Sequence, residues 1–288
     1  MSTIHLDLLD CQVVYVGRKY RTRAIIAGEG ETLLLMHGIG GHAEAYSRNM
    51  RRLAEHYRVV AIDFVWHGRS ENPPFDGQSI PTYADQALDV LDDLGVESAY
   101  VEGESLGGWV GLWLALNHPE RVKKLVLNTS AGVIYHEEAT PAAVADAQAA
   151  LRDRSLKVLD SPTEDNVRAR LEWLMAAPDR VTDELVALRQ ALYRDADTNA
   201  ALRQVFSHRF SETGVEQFHF READLARVTV PTLVLWSDKN PGHGPEIGER
   251  LASLIPGAQY ALIEDAAHWP QWEKPEEHDR LVLSFLGS

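Results

Sequence analysis

The chain has 288 residues, 45% of them hydrophobic and 25% charged, which is enough for one large α/β domain, or one domain with an insertion, around a sizeable core. Its 28 basic and 43 acidic side chains give a formal net charge of −15, which argues against nucleic acid or an anionic membrane surface as a partner. The single cysteine, Cys11, excludes an intramolecular disulfide and a cysteine-based metal site, and reads as a small apolar filler in an early strand.

Residues Met1–Asp10 lack the basic stretch and apolar run of a secretory signal, and no apolar run reaches membrane-spanning length, so the cytoplasm is the expected compartment. Cys11–Val16 and Tyr20–Ala27 alternate like strands around a Gly17-Arg18-Lys19 turn. Thr32–Met36 is a continuous apolar run, the pattern of a strand covered on both faces; Val59–Phe64 repeats it after a helical segment around Tyr46–His56. Tyr83–Leu94 sets Ala84, Ala87, Leu88, Leu91 and Leu94 on one helical face, and Gly95 stops it. A short strand from Ala99 runs directly into Gly103-Glu104-Ser105-Leu106-Gly107, followed by a buried helix over Trp109–Leu116. Lys124–Leu127, Thr232–Trp236 and Ala258–Ile263 supply further apolar strands.

Strands alternating with helical patterns predict an α/β fold, a mostly parallel sheet flanked by helices. From about Ile134 to Arg227 the strand rhythm stops, and Ala, Arg, Leu and acidic residues recur with helical periodicity. The expected organisation is a core of residues 1–133 and 227–288, with residues 134–226 as a helical lid over the carboxyl ends of the strands.

Within this frame G-x-S-x-G is more than a chance pattern. A serine on a sharp strand-to-helix turn is forced outward, and Gly103 and Gly107 keep Cβ atoms out of a crowded turn. Ser105 is the candidate nucleophile. The Met36-His37-Gly38-Ile39-Gly40-Gly41 loop offers backbone amides to an oxyanion, those of Ile39 and Leu106 being the expected donors. Gly38-x-Gly40-x-x-Ala43 after a strand also matches a dinucleotide fingerprint, with Asp63 as ribose ligand, although the partner motif at Ser105 explains the loop better. His268 follows the last apolar strand, and serine first with histidine last is the chain order of an α/β-hydrolase. The acid should follow Thr232–Trp236, where Asp238 is the only carboxylate; an ordinary turn residue is its other reading. The remaining histidines show no metal spacing, and neither a metal nor a cofactor is expected.

Taken together, these residues resemble the α/β-hydrolase family. His268-Trp269-Pro270-Gln271-Trp272-Glu273 is similar to the His-Trp-x-Gln-Trp-Glu signature of the meta-cleavage product hydrolases, which cut a carbon–carbon bond in 2-hydroxy-6-oxo-dienoates during aromatic degradation. Glu164–Leu192 resembles that family's lid. The resemblance implies a serine-dependent hydrolase in which the dienol first becomes a ketone and His268 activates Ser105 or a water for attack on the keto carbon. It also implies that Arg189 grips the substrate carboxylate and that Trp269 and Gly38 line the pocket.

Three departures stand out. Asn240 occupies the position of the family's acid; it can accept a hydrogen bond but carries no charge. The glycine loop is short, with Ala45 where a substrate-contacting asparagine is expected. Glu104 precedes the serine where asparagine is usual, and would either raise the histidine's pKa or tie down the turn. An esterase or lactonase, and a hydrolase-fold protein that binds a small ligand without turnover, are the rival readings; association with further copies of the chain stays open.

Overall fold

The computed structural model describes residues 4–135, 142–211 and 217–288. Eight strands form the main sheet: β1 (Gln12–Val16), β2 (Thr22–Ala27), β3 (Thr32–Met36), β4 (Arg58–Ile62), β5 (Ala99–Glu104), β6 (Val122–Asn128), β9 (Thr232–Ser237) and β10 (Gln259–Ile263). Their order is β1-β2-β4-β3-β5-β6-β9-β10. Only the β1–β2 and β2–β4 pairings are antiparallel; from β4 to β10 all neighbours run parallel. Two short strands, β7 (Val133–Ile134) and β8 (Phe220–Arg221), pair in parallel as a separate ribbon that the periodicity did not reveal.

Burial follows the reading of the apolar runs. All five residues of β3 and all six of β9 are buried, as strands with helices on both faces require. The helix Leu106–Asn117 is apolar on every side because it lies between the sheet and neighbouring helices. The elements differ from expectation mainly at their ends. The helix expected at Tyr83 begins at Ser79, with Pro81 in its first turn, where a missing N–H costs nothing. The strand expected to reach Phe64 ends at Ile62, because the Phe64 amide turns to the His37 ring, 3.1 Å away. Cys11 lies just before β1 and is half-buried.

Between β7 and β8 the described residues form helices Ala142–Asp160, Glu164–Leu174, Asp183–Arg194 and Ala196–Arg209, with no strand of the main sheet among them. Thr163, Thr182 and Asp195 cap the last three, each accepting a backbone N–H from the first turn. Among the described residues no helix is long and apolar enough to cross a membrane.

Because β3, β5, β6, β9 and β10 are parallel, their carboxyl ends share one edge of the sheet. The loops leaving that edge carry Gly38–Gly41, Ser105, Thr129, Asn240 and His268. Topology has thus brought the candidate residues together before any side-chain contact is considered.

Candidate active site

Ser105 sits between β5 and the helix Leu106–Asn117 with φ 52° and ψ −107°, a left-handed conformation that costs a non-glycine residue about 1–3 kcal/mol. Close packing holds it there. A Cβ on Gly103 would lie 2.0 Å from the Gly107 carbonyl carbon, and one on Gly107 would lie 2.1 Å from the Met36 oxygen. The turn is tied at both ends: the Ser105 amide donates to the Asn128 carbonyl (3.0 Å), and the Ala131 amide donates to the Ser105 carbonyl (3.1 Å). The side chain opens on a cavity that Gly38, Ile39, His268 and Trp269 also line.

The glycine loop is held from both sides. His37 accepts the Phe64 N–H at Nε2, so its Nδ1 carries the proton and donates to the Gly38 carbonyl (2.7 Å). Burial, with His67 nearby, holds this imidazole neutral. The Ile39 carbonyl accepts from Arg170 (3.2 Å), and the Gly40 carbonyl from Tyr193 (2.9 Å) and Arg189. With these carbonyls turned to the helices, the Ile39 amide makes no hydrogen bond among the described residues. Leu106 opens a helix, whose first amides have no intrahelical acceptor. Its side chain is buried and does not line the cavity.

His268 has a different partner from the one expected. Its Nδ1 lies 2.7 Å from Asn240 Oδ1. The Asn240 Nδ2 donates to the His243 carbonyl (3.1 Å), which fixes the amide so that its oxygen accepts from Nδ1–H. Asp238 is not the partner: its carboxylate accepts the Ala266 amide (3.2 Å) and ties the loop leaving β9 to the loop leaving β10. Asn240, not Asp238, therefore stands where the acid partner of His268 was expected, and it carries no charge. On the other side of the ring, Nε2 lies 3.2 Å from Glu104 Oε1, while Glu104 Oε2 accepts the Gly38 amide (2.6 Å). The Nε2 contact lies off the hydrogen-bond axis, and Oε1 has no other donor among the described residues. The histidine backbone is anchored by its amide on Leu174 and by its carbonyl on the Thr129 hydroxyl. His243 is held to about 4 by burial and by His268 beside it, so it is neutral.

The arginine moves as well. Arg189 is almost fully buried behind the glycine loop, bonded to Gly40 and Tyr193 (3.1 Å), with its guanidinium 5.4 Å from the Trp269 ring centre; it does not line the cavity. Arg170, one helix earlier, does. Its Nε bonds Ser155 (3.3 Å), its Nη2 bonds Ile39, and its Nη1 has no partner among the described residues. At the other wall Arg209 lies over the Trp109 ring (5.3 Å), and burial lowers it to about 10. Ala45 is buried in the turn after the loop and does not line the cavity.

The dinucleotide alternative fails on Asp63. That carboxylate is fully buried, bonded to the amides of Ala43 (2.7 Å) and Arg69 (2.9 Å) and paired with Arg23 (3.1 Å), so it is out of reach of a ribose. No cluster of three or more metal-ligating side chains exists among the described residues.

A second histidine lies beneath the elbow. His278 is fully buried, with Nε2 2.7 Å from Glu102 and Nδ1 3.0 Å from Asp279. Burial alone would lower it, but the two carboxylates outweigh that and raise it to about 10, so it is an imidazolium. Asn128, whose carbonyl holds the Ser105 amide, donates its side chain to Gln271 (3.0 Å) and contacts Glu102 (3.4 Å). The elbow therefore rests on a buried charged network.

This fold, with a nucleophile elbow and a late histidine on one sheet edge, defines a hydrolase class. The chain belongs to the α/β-hydrolase fold family, whose model matches residues 31–275. It is 30% identical over 275 residues to a 2-hydroxymuconate semialdehyde hydrolase of Pseudomonas putida, covering 93% of this chain and 91% of that one. It is 29% identical over 283 residues to a 2-hydroxy-6-oxononadienedioate/2-hydroxy-6-oxononatrienedioate hydrolase of Paraburkholderia phymatum, covering 94% and 92%. Among solved structures, a meta-cleavage product hydrolase variant from Pseudomonas fluorescens IP01 complexed with acetates superposes with a TM-score of 0.81 at 26% identity, over 97% of this chain and 98% of that one.

Proposed function

We propose that the protein is a serine-dependent carbon–carbon bond hydrolase acting on a 2-hydroxy-6-oxo-dienoate, with the helices between β7 and β8 as its lid. The observation that carries the reading is the meeting of Ser105, His268 and Arg170 around one cavity. Arg170 binds the substrate carboxylate through its unpartnered Nη1, and Trp269 walls the chain of the dienoate. After ketonisation, His268 takes the Ser105 proton as Oγ attacks the 6-keto carbon, and the Ile39 and Leu106 amides hold the oxyanion. Collapse of that adduct breaks the carbon–carbon bond; the departing carbon is protonated by the imidazolium, and water then releases the acyl group from Ser105.

The test is turnover of 2-hydroxymuconate semialdehyde and 2-hydroxy-6-oxononadienedioate, read as loss of the dienolate colour, beside p-nitrophenyl esters. Colour loss with slow ester turnover supports the reading; fast ester turnover without colour loss replaces it with an esterase. The neutral Asn240 on Nδ1 favours that second reading, since an ester expels an oxygen leaving group rather than a carbanion and asks less of the acid–base pair.

The arginine assignment has its own expected result. Replacing Arg170 with methionine keeps the apolar stem and raises KM for the dienoate about 10- to 100-fold, the value of a hydrogen bond to a charged group. Arg189→Met acts mainly on thermal stability through the Gly40 loop, and raises KM less than Arg170→Met does. Steady-state kinetics and melting curves of the two variants decide between them.

A further inference from the structure

The imidazole of His268 carries its proton on Nδ1, because Asn240 turns an oxygen toward that atom. Its Nε2, which then carries a lone pair, lies 3.2 Å from Glu104 Oε1, off the hydrogen-bond axis. Glu104 is buried, and its other oxygen is already committed to the Gly38 amide. Two acceptor atoms do not rest 3.2 Å apart beside a buried carboxylate, where the repulsion is little screened, unless the pair holds a proton. Glu104 is the one carboxylate that lines the cavity among the described residues, and Asn240 is neutral.

We propose that Glu104 and His268 share one proton between Oε1 and Nε2, and that Glu104 supplies the acid–base centre with the negative charge that Asn240 cannot. For a substrate bound as the dienolate, the shared proton also has a use. It passes to carbon as a C–H bond forms with an electron pair of the enolate, whose oxygen becomes a carbonyl. A Glu104 carboxylate and a neutral imidazole remain, and Nε2 is free to take the Ser105 proton in the next step. The pair thus covers the base at rest and releases it once the substrate has been ketonised.

Other groups facing the pair are Arg170 from the lid helix and Tyr46 behind Glu104, with Asn240 and His243 on the far side of His268. None of them places a second carboxylate on Nε2.

The kinetic arm rests on the hydrolase reading; the spectroscopic arm does not. In protein labelled with 15N-histidine, the Nε2 shift of His268 at neutral pH is expected away from the value of an unprotonated acceptor, and to return to it in Glu104→Gln. An identical Nε2 shift in both proteins overturns the shared proton. Glu104→Gln keeps an acceptor for Gly38 and lowers the rate of dienolate colour loss about 10²-fold, the usual worth of a positioned acid–base group. Adding Asn240→Asp, which places a carboxylate on Nδ1 instead, restores at least about tenfold of that loss. A single variant as fast as the parent, or a double variant no faster than the single, overturns the assignment of the charge to Glu104. If the parent protein leaves every dienoate unchanged, the hydrolase reading fails and the nitrogen shifts alone decide the proton. Circular dichroism of each variant separates lost folding from lost chemistry.

Discussion

Replacing Ser105 with alanine is expected to lower kcat at least about 10³-fold, leaving the residual rate that fixed amides and substrate binding supply without a nucleophile. Ser105 is the hydroxyl that the elbow presents to the cavity, and its φ of 52° is the strain through which the fold achieves this. The strain makes a second, opposite prediction. Alanine retains a Cβ and gains nothing, whereas Ser105→Gly relaxes a left-handed residue and raises stability by about 1 kcal/mol, offset in part by glycine's greater unfolded freedom. Both variants are therefore inactive, and glycine melts at the higher temperature. Single-turnover kinetics and thermal unfolding of the three proteins check this. A Ser105→Ala variant retaining more than a tenth of kcat removes the nucleophile assignment and leaves His268 acting on water.

The mostly parallel sheet and the positions of Ser105 and His268 were readable because both depend on local signals. A continuous apolar run bounded by glycines identifies a buried strand, and G-x-S-x-G between a strand and an apolar helix leaves the serine little choice of place. The partners of His268 were not readable in this way. Asp238 and Asn240 lie two residues apart in one loop, and which side chain reaches the ring depends on the Ala266 amide and the His243 carbonyl, contacts invisible in one dimension. The arginines repeat the lesson. Arg170 shares an apolar helix face with Val167, Leu171 and Leu174, and Arg189 shares one with Leu185, Val186 and Leu192. A buried arginine on an apolar stripe was the available signal, but periodicity could not say which guanidinium faces the cavity and which backs the glycine loop. Likewise His278 looks like one more residue of a surface helix until Glu102, 176 positions away, is found 2.7 Å from its ring.

That buried imidazolium carries the largest effect on stability. Removing it with His278→Gln leaves Glu102 without its cation in a fully buried position, and breaking a buried pair from one side costs about 3–5 kcal/mol. Asp279 is less affected, because Asn49 (2.7 Å) and Arg52 also hold it. Changing Glu102 to glutamine as well removes the orphaned charge, so the double variant is expected to recover more than half of the loss. The pH dependence has a definite sign. The folded pKa is raised from 6.5 to about 10, so the contribution of His278 is complete below pH 6.5 and drains away as pH rises toward 10. For a single proton the slope approaches about 1.4 kcal/mol per pH unit within that window. Tyrosines and lysines also titrate at high pH, and an orphaned Glu102 would add a slope of its own, so the quantity to measure is the difference in unfolding free energy between the parent and the His278→Gln, Glu102→Gln double variant at pH 6, 7, 8 and 9. The gap between the two proteins should narrow steadily as pH rises. A gap that is constant over this range would mean that His278 is neutral in the fold and that the support beneath the Ser105 elbow is not ionic.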